Sequence, residues 1–445
     1  MSVFVCVKEL LEAREQECVR LRRELKELRN TVSLRRLVPQ GVNPETSSCP
    51  SRATPATVSG LLECRKGDDA KLLKNLITDL RADGALPLPP GLPASVLFLC
   101  VRQADCSGDQ THARALCAAA VTAVKAALKK HSSDVDMTAL WLKNACLLHD
   151  LLTQHSPKQS LNSGEVVPLA SDLGDSMRAL SDLRIQAYQQ LLSVAERRLQ
   201  NIIVPALLES ENITGLSGSA GKPGPSRKRA GSDPRAAAAA AGGDARTMSA
   251  VLRELGALHA ALSRQDLPPA LMEQAFSQLS YLISASAFNS LLLRKDMCCW
   301  SRGMQIRYNV SLLEEWLRGR GLQAGGAAAA LEHLIQAVQL LQAGKKSDRD
   351  AQALVQSCTA LSSQQIVKIL TLYTPQSDLE ERVSLNFIRT VQGHLKGRSE
   401  GPTPQLLMDV RRVFPVTFPY SPPAVLHAEQ LVIPESLRIS FLRRV

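Results

Sequence analysis

LLLRKDMCCWSRGMQIRYNVSLLEEWLRGRGL, residues Leu291–Leu322, carries the rarest residues of the chain in one place. Two of its 3 tryptophans, Trp300 and Trp316, stand here beside a vicinal pair, Cys298 and Cys299. Ser311 followed three residues later by Glu314 has the spacing of a capping box, which predicts a helix opening at Leu312–Leu317. Large apolar side chains and adjacent thiols in a helical context predict core packing, so Trp300, Trp316 and the cysteine pair are expected to be buried. Nothing in the stretch pairs an acid with a base or a nucleophile with an activator.

The composition outside it agrees. Of 445 residues, 45% are hydrophobic but only 4% aromatic, which favours Leu- and Ala-rich helices over sheets. The length suits two or three domains. The formal net charge of +11 is spread along the chain, as solvated helix faces or a general preference for acidic partners would both give. The 11 cysteines include no Cys-x-x-Cys and no zinc spacing, so the chain reads as a reduced cytoplasmic protein. The longest strongly apolar run, Ala94–Val101, is too short to span a bilayer.

Residues 1–38 read as a coiled-coil segment. With Phe4, Leu11, Cys18, Leu25 and Val32 at a, the d positions are Val7, Arg14, Leu21, Leu28 and Arg35, most of them apolar. Such a seam predicts a homodimer, with a lone amphipathic helix as the other reading. Residues 39–60 are a Pro/Ser/Thr-rich linker. Helical periodicity fills 61–218, with Met177–Leu208 read as one helix kinked or ended by Pro205. Residues 219–247 form a basic Gly/Ala-rich loop. Within it, Arg229 lies three residues before Ser232. That spacing suits a basophilic kinase; nuclear import or nucleic-acid contact, and mere solubility, are the other readings. Helices resume over 248–396, including Pro269–Leu293, Ala327–Ala343 and Ser363–Leu372, with Ser384 an N-cap candidate. The Pro-rich, β-branched segment 397–445 is expected to be extended and to lie along the helices. The fold class is therefore all-α.

No chemistry-bearing constellation emerges, so no enzyme, no cofactor and no metal is expected. Gly344-Lys345-Lys346-Ser347 echoes a phosphate loop but has Gln339 where the first glycine belongs, and it follows a helix. His149 and His155 are not at helical metal-ligand spacing.

The Leu291–Leu322 stretch resembles the dilute domain, the cargo-binding globular tail of class V myosins. The likeness continues through LLECRKGDDAKLLKNLITDL (Leu61–Leu80), LPASVLFLCVRQADC, MTALWLKNACLLHDLL, SDLRIQAYQQLLSVAERRLQNIIVPALLESENITGLSG, SSQQIVKILTLYTPQSDLEERVSLNFIRTVQGHL and FPVTFPYSP. The resemblance implies an elongated pair of helical bundles, 61–218 and 248–396, strapped by the C-terminal segment. It implies docking of organelle adaptors on the first bundle and of Rab GTPases on the second. Tyr308 and Gln342 match the Rab-contacting positions. Lys295 and Lys368 match the lysines through which the tail folds back on the motor head and inhibits it. Vesicle and actin association follow, with membranes reached through adaptors and no nucleic acid involved. This sequence departs from the family in lacking motor and neck and in its opening MSVFVCV. A motorless scaffold built on the same fold, linking small GTPases to membrane or junction machinery, is the alternative.

Overall fold

The computed structural model describes residues 60–157, 167–210, 247–375, 381–398 and 405–445. The coiled-coil segment, nearly all of the linker, and Ser232 and its basic loop lie outside the described residues.

A two-residue strand, β1 (Leu62–Glu63), leads into the short helix α1 (Asp69–Leu73), which a π turn extends over Lys74–Thr78. Then come α2 (Leu92–Cys106), α3 (Gln110–Lys130), α4 (Val135–Gln154) and α5 (Gly174–Gln200). After the undescribed loop stand α6 (Met248–Arg264), α7 (Pro269–Leu293), α8 (Trp300–Arg318) and α9 (Glu332–Gln342). The last helices are α10 (Asp348–Ser357), α11 (Ser363–Leu372) and α12 (Leu385–Leu395), and β2 (Arg443–Arg444) ends the chain. The all-α expectation holds.

Local sequence explains the starts. Asp109, Asp134 and Ser384 each accept a backbone N–H of the first turn they precede, as an N-cap must. Ser347 with Asp350, and Ser362 with Gln365, close complete capping boxes. Gly91, just before α2, has φ +77, and a Cβ there would collide with Leu147 on α4. Asn144 on α4 finishes that junction: its Oδ1 accepts from Ala94 N at 2.9 Å.

Helices α2 and α7 are buried nearly all round, so other helices must surround them. Around α2 pack α3 and α4, while α5 touches α3 and α4 on one side and α6 and α7 on the other. The buried side chains before and after the undescribed loop form one continuous core, with Phe98 and Trp141 in the first half and Phe276 and Phe288 in the second. Some buried polar groups inside it pair with one another. His155 Nδ1 donates to Leu151 O at 2.9 Å, which leaves Nε2 to accept from Arg102 Nη1 at 2.9 Å. Burial first, then the Arg102 charge, holds this imidazole below its ordinary pKa, and so neutral.

Three readings change. The 177–208 helix ends at Gln200, and Pro205 opens a separate π turn, Pro205–Glu209, where its missing N–H costs nothing. The 327–343 helix is interrupted at Leu331, so Ala328–Ala330 is a separate turn before α9. Gly60, placed in the linker, is buried: its N–H donates to Val445 O at 2.8 Å and its O accepts from Ala428 N at 2.7 Å. The C-terminal residues thus return to the start of the helical body, where β1 and β2 pair antiparallel with Leu62 opposite Arg444.

Extended backbone laid on helices needs partners for its N–H and C=O groups. Side-chain amides of α7 supply them. Asn289 exchanges two bonds with Met408, both 2.8 Å. Gln278 donates to Arg412 O at 2.7 Å and accepts from Phe414 N at 2.9 Å. Gln274 does the same with Thr417, at 3.0 and 2.7 Å. Tyr281 adds its hydroxyl to Asp409 O at 3.0 Å. Each amide acts as a one-residue strand neighbour, offering a donor and an acceptor side by side.

No described helix is long and apolar enough to cross a membrane, and the described residues contain no cluster of three or more metal-ligating side chains.

Candidate partner-binding surface

Helix α8 carries most of the stretch that opened the sequence reading, and it starts earlier than expected. Cys299, in extended conformation, is its N-cap: the Sγ accepts from Arg302 N at 3.4 Å. Ser311 and Glu314 therefore lie inside the helix and form no capping box. Ser311 Oγ instead donates back to Tyr308 O at 2.7 Å, and Glu314 pairs with Arg307 at 2.7 Å. The signal was misread because a cap with a thiol acceptor has no place in the Ser/Thr/Asp/Asn pattern.

The expected core residues divide. Cys298 and Cys299 are fully buried. Burial, then the neighbouring Cys299, pushes the Cys298 thiol up to about 12, so it packs and does not react. Trp316 is half-buried, stacked 5.6 Å from Phe276 with the Arg320 guanidinium 4.1 Å over its ring. Trp300 corrects the expectation outright: as the first helical residue it is 40% exposed.

Helix α8 docks on α9 through Gly303. A Cβ at this position would stand 3.0 Å from Leu341 Cβ, 3.4 Å from Gln342 Cγ and 3.6 Å from Val338 O. The two helices approach as closely as backbone allows. Asn309, fully buried, uses its Nδ2 to satisfy Ala206 O and Leu207 O in the Pro205 π turn.

Tyr308 is 42% exposed on α8, five residues beyond Gly303, about 7.5 Å along the axis. Gln342 ends α9 against Gly303, half-buried, and its Nε2 is shielded with no hydrogen-bond partner among the described residues. The structure thus sets Tyr308 and Gln342 on touching helices. Lys295 is exposed in the turn Lys295–Met297 that joins α7 to α8. Lys368 lies half-buried on α11, close enough for its charge to act on the Cys298 thiol. Thr374 N donates to Cys298 O at 2.8 Å, tying the end of α11 to the same turn. Neither lysine has an ion-pair partner among the described residues.

The phosphate-loop echo is structural. Lys345 Nζ donates to Leu341 O and Ala343 O at 2.8 and 2.7 Å, capping α9, and lies 4.3 Å over the Tyr373 ring. His149 sits between Arg184 and Asp150, at 3.3 and 3.4 Å.

A protein-family model described as the DIL domain matches residues 274–377, which spans α7 to α11. Unconventional myosin-Vb of Homo sapiens is 45% identical over 396 residues, covering 87% of this chain and 21% of the relative. Unconventional myosin-Va of Homo sapiens is 45% identical over 393 residues, covering 87% of this chain and 20% of the relative. The chain therefore spans about a fifth of the length of these curated relatives. Among solved structures, "Structure of Myo2-GTD in complex with Smy1" aligns with a TM-score of 0.59 at 19% identity, covering 84% of this chain and 91% of that one, a likeness of fold. A DIL domain centred on the α8–α9 contact, and near-half identity across most of its length, place this chain in the class V myosin family as a globular tail.

Proposed function

We propose that this chain is a cargo-binding module of an actin-based transport motor, docking organelle adaptors and a GTP-loaded Rab GTPase. The observation that carries the reading is the α8–α9 surface: an exposed tyrosine, Tyr308, on a helix locked by Gly303 against the helix that ends in Gln342. A rigid aromatic with a free rim can bury its ring in a partner and keep its hydroxyl hydrogen-bonded. The solved globular tail bound to Smy1 supports adaptor docking as a use of this fold. The coiled-coil segment 1–38 would supply dimerisation, and association with vesicles would follow from the adaptors.

Titration of the chain with a GTP-loaded Rab tests the site. Tyr308→Glu is expected to weaken binding on the order of thirtyfold, about 2 kcal/mol, while Tyr308→Phe stays near wild type. Equal binding by Tyr308→Glu and wild type would remove Tyr308 from the interface.

In a full motor, Lys295 and Lys368 would meet an acidic patch of the head and hold it inactive. Both stand on elements joined at the Cys298 turn, two cations without ion-pair partners among the described residues. Head binding is then expected to weaken steadily as salt rises toward physiological strength, where charges are screened beyond about 8 Å. Exchanging both lysines for glutamate should abolish binding and, with it, the salt dependence; an unchanged slope in that double variant refutes the contact.

A further inference from the structure

The described residues contain three serine or threonine side chains directly followed by proline: Ser156, Thr374 and Ser421. Two are occupied. Ser156 Oγ donates to Thr153 O at 2.8 Å at the end of α4. Thr374 donates its N–H to Cys298 O and its hydroxyl to Leu372 O at 3.1 Å. Ser421 is exposed and its hydroxyl makes no hydrogen bond among the described residues.

Its surroundings differ as well. Phe418 is pinned edge-on to Tyr188 at 6.3 Å, with the Arg184 guanidinium 4.9 Å over its ring. Ala428 is fastened to Gly60. Between these anchors, 419–427 has no regular structure; besides the half-buried Leu426, one hydrogen bond among the described residues holds it to the helices: Gln154 Nε2 donates to Pro423 O at 3.1 Å. The bond cannot be doubled. Gln154 Oε1 is shielded and without a donor, because Pro423 has no N–H to return. The amide grip that is two-sided at Met408, across Arg412 and Phe414, and at Thr417 is thus one-sided here. Pro422 and Pro423 also bias Ser421 and Pro422 toward extended backbone.

We propose that Ser421 is the acceptor for a proline-directed serine/threonine protein kinase, and that its phosphate lifts residues 419–427 off helices α4 and α5. A kinase cleft takes an extended, exposed segment with an unengaged hydroxyl, and this is the Ser/Thr-Pro site that offers all three. The transfer breaks the bond between the γ-phosphorus and the β–γ bridging oxygen of ATP and forms the Ser421 Oγ–P bond. The Oγ proton passes to the kinase's catalytic carboxylate, and ADP leaves. The product places a dianion one residue from Tyr420, over α4. There the anion is the half-buried Asp150, whose charge already bears on the Tyr420 phenol after burial has raised it. The nearby cation is committed: Arg184 lies 3.7 Å from Asp150, touches His149 and is covered by Phe418. Repulsion then acts on a stretch held by one hydrogen-bond clip and by Leu426 near its far end.

The test treats the whole chain with a purified cyclin-dependent kinase and magnesium-ATP, then reads phosphopeptides by mass spectrometry and amide hydrogen exchange over 419–427. Phosphate is expected at Ser421, with several-fold faster exchange in 419–427 and unchanged exchange in α7; Ser421→Ala keeps the unmodified rate in 419–427 whatever Thr54 and Thr403, the Ser/Thr-Pro sites outside the described residues, take up. Gln154→Ala, which cuts the clip without a phosphate, should speed exchange over the same residues. The proposal is overturned if Ser421 itself takes no phosphate, if the chain phosphorylated there exchanges over 419–427 at the unmodified rate, or if Gln154→Ala leaves 419–427 protected.

Discussion

Trp141→Ala is expected to lower the unfolding free energy by about 3–5 kcal/mol, read as a drop in the urea midpoint. Trp141 is the third tryptophan and the largest fully buried side chain, on a helix that packs against α2, α3, α5 and α6. Removing an indole from such a crossing leaves a cavity that four helices would have to collapse into, and their other contacts resist that. Trp141→Phe separates packing from hydrogen bonding. The indole Nε1–H is buried with no acceptor among the described residues, so the ring contributes through contact area, and its N–H is a cost already carried. The phenylalanine variant should therefore lose under about 2 kcal/mol. If both variants lose equally, the indole nitrogen is hydrogen-bonded in solution and the core reading is wrong.

Gly303→Val should cost about 3 kcal/mol, at the upper end for overpacking, and should weaken Rab binding although it touches no partner. The obstruction is a fixed atom. Leu341 Cβ lies 3.0 Å from where the new Cβ must stand, and a Cβ cannot rotate away as a side-chain tip can. The α8–α9 separation must grow, which moves Tyr308 relative to Gln342. Gly303→Ala sets two effects against each other: a helix-propensity gain of about 1 kcal/mol and a clash of a few tenths of an ångström. Valine adds two methyls toward Val338 O and Gln342 with no further propensity to gain. Thermal unfolding and Rab titration on the same samples check this. A Gly303→Val chain of wild-type stability would mean that the helices part freely and that the site is not held by their contact.

Helix existence was legible in most places because amphipathic period and cap chemistry are local. Ser384, and the helical patterns starting at Ser363 and Pro269, announce α12, α11 and α7 within a few residues, and the structure keeps those starts. Where the cap was a cysteine, as at α8, local chemistry misled: Ser311 and Glu314 have the right spacing but the helix was already three turns old. Trp300 failed for a different reason. Hydrophobicity predicts burial on average, yet a side chain at the first position of a helix, beside an exposed turn, has nothing to pack against. The partner surface was legible only as a resemblance. Nothing in the spacing of Tyr308 and Gln342, or of Lys295 and Lys368, indicates that each pair stands on elements that meet, because those elements touch through Gly303 and through Cys298 and Thr374.

By itself, the order of residues determined an all-α protein, the Ser384 cap of α12, an extended C-terminal segment and membership of the class V myosin tails. These follow from periodicity, turn chemistry and a long run of similarity, all readable within short windows. Tertiary structure alone decided which side chains face outward in Leu291–Leu322, which helices meet at Gly303, and how the C-terminal segment is held. Those outcomes depend on atoms distant in sequence: Gln274, Gln278 and Asn289 grip a backbone more than a hundred residues downstream, and Gln154 meets a proline that can answer only half its amide. Pairing of backbone donors and acceptors is satisfied globally, so no local pattern can announce where an extended chain is held twice, where once, and where it is poised to lift.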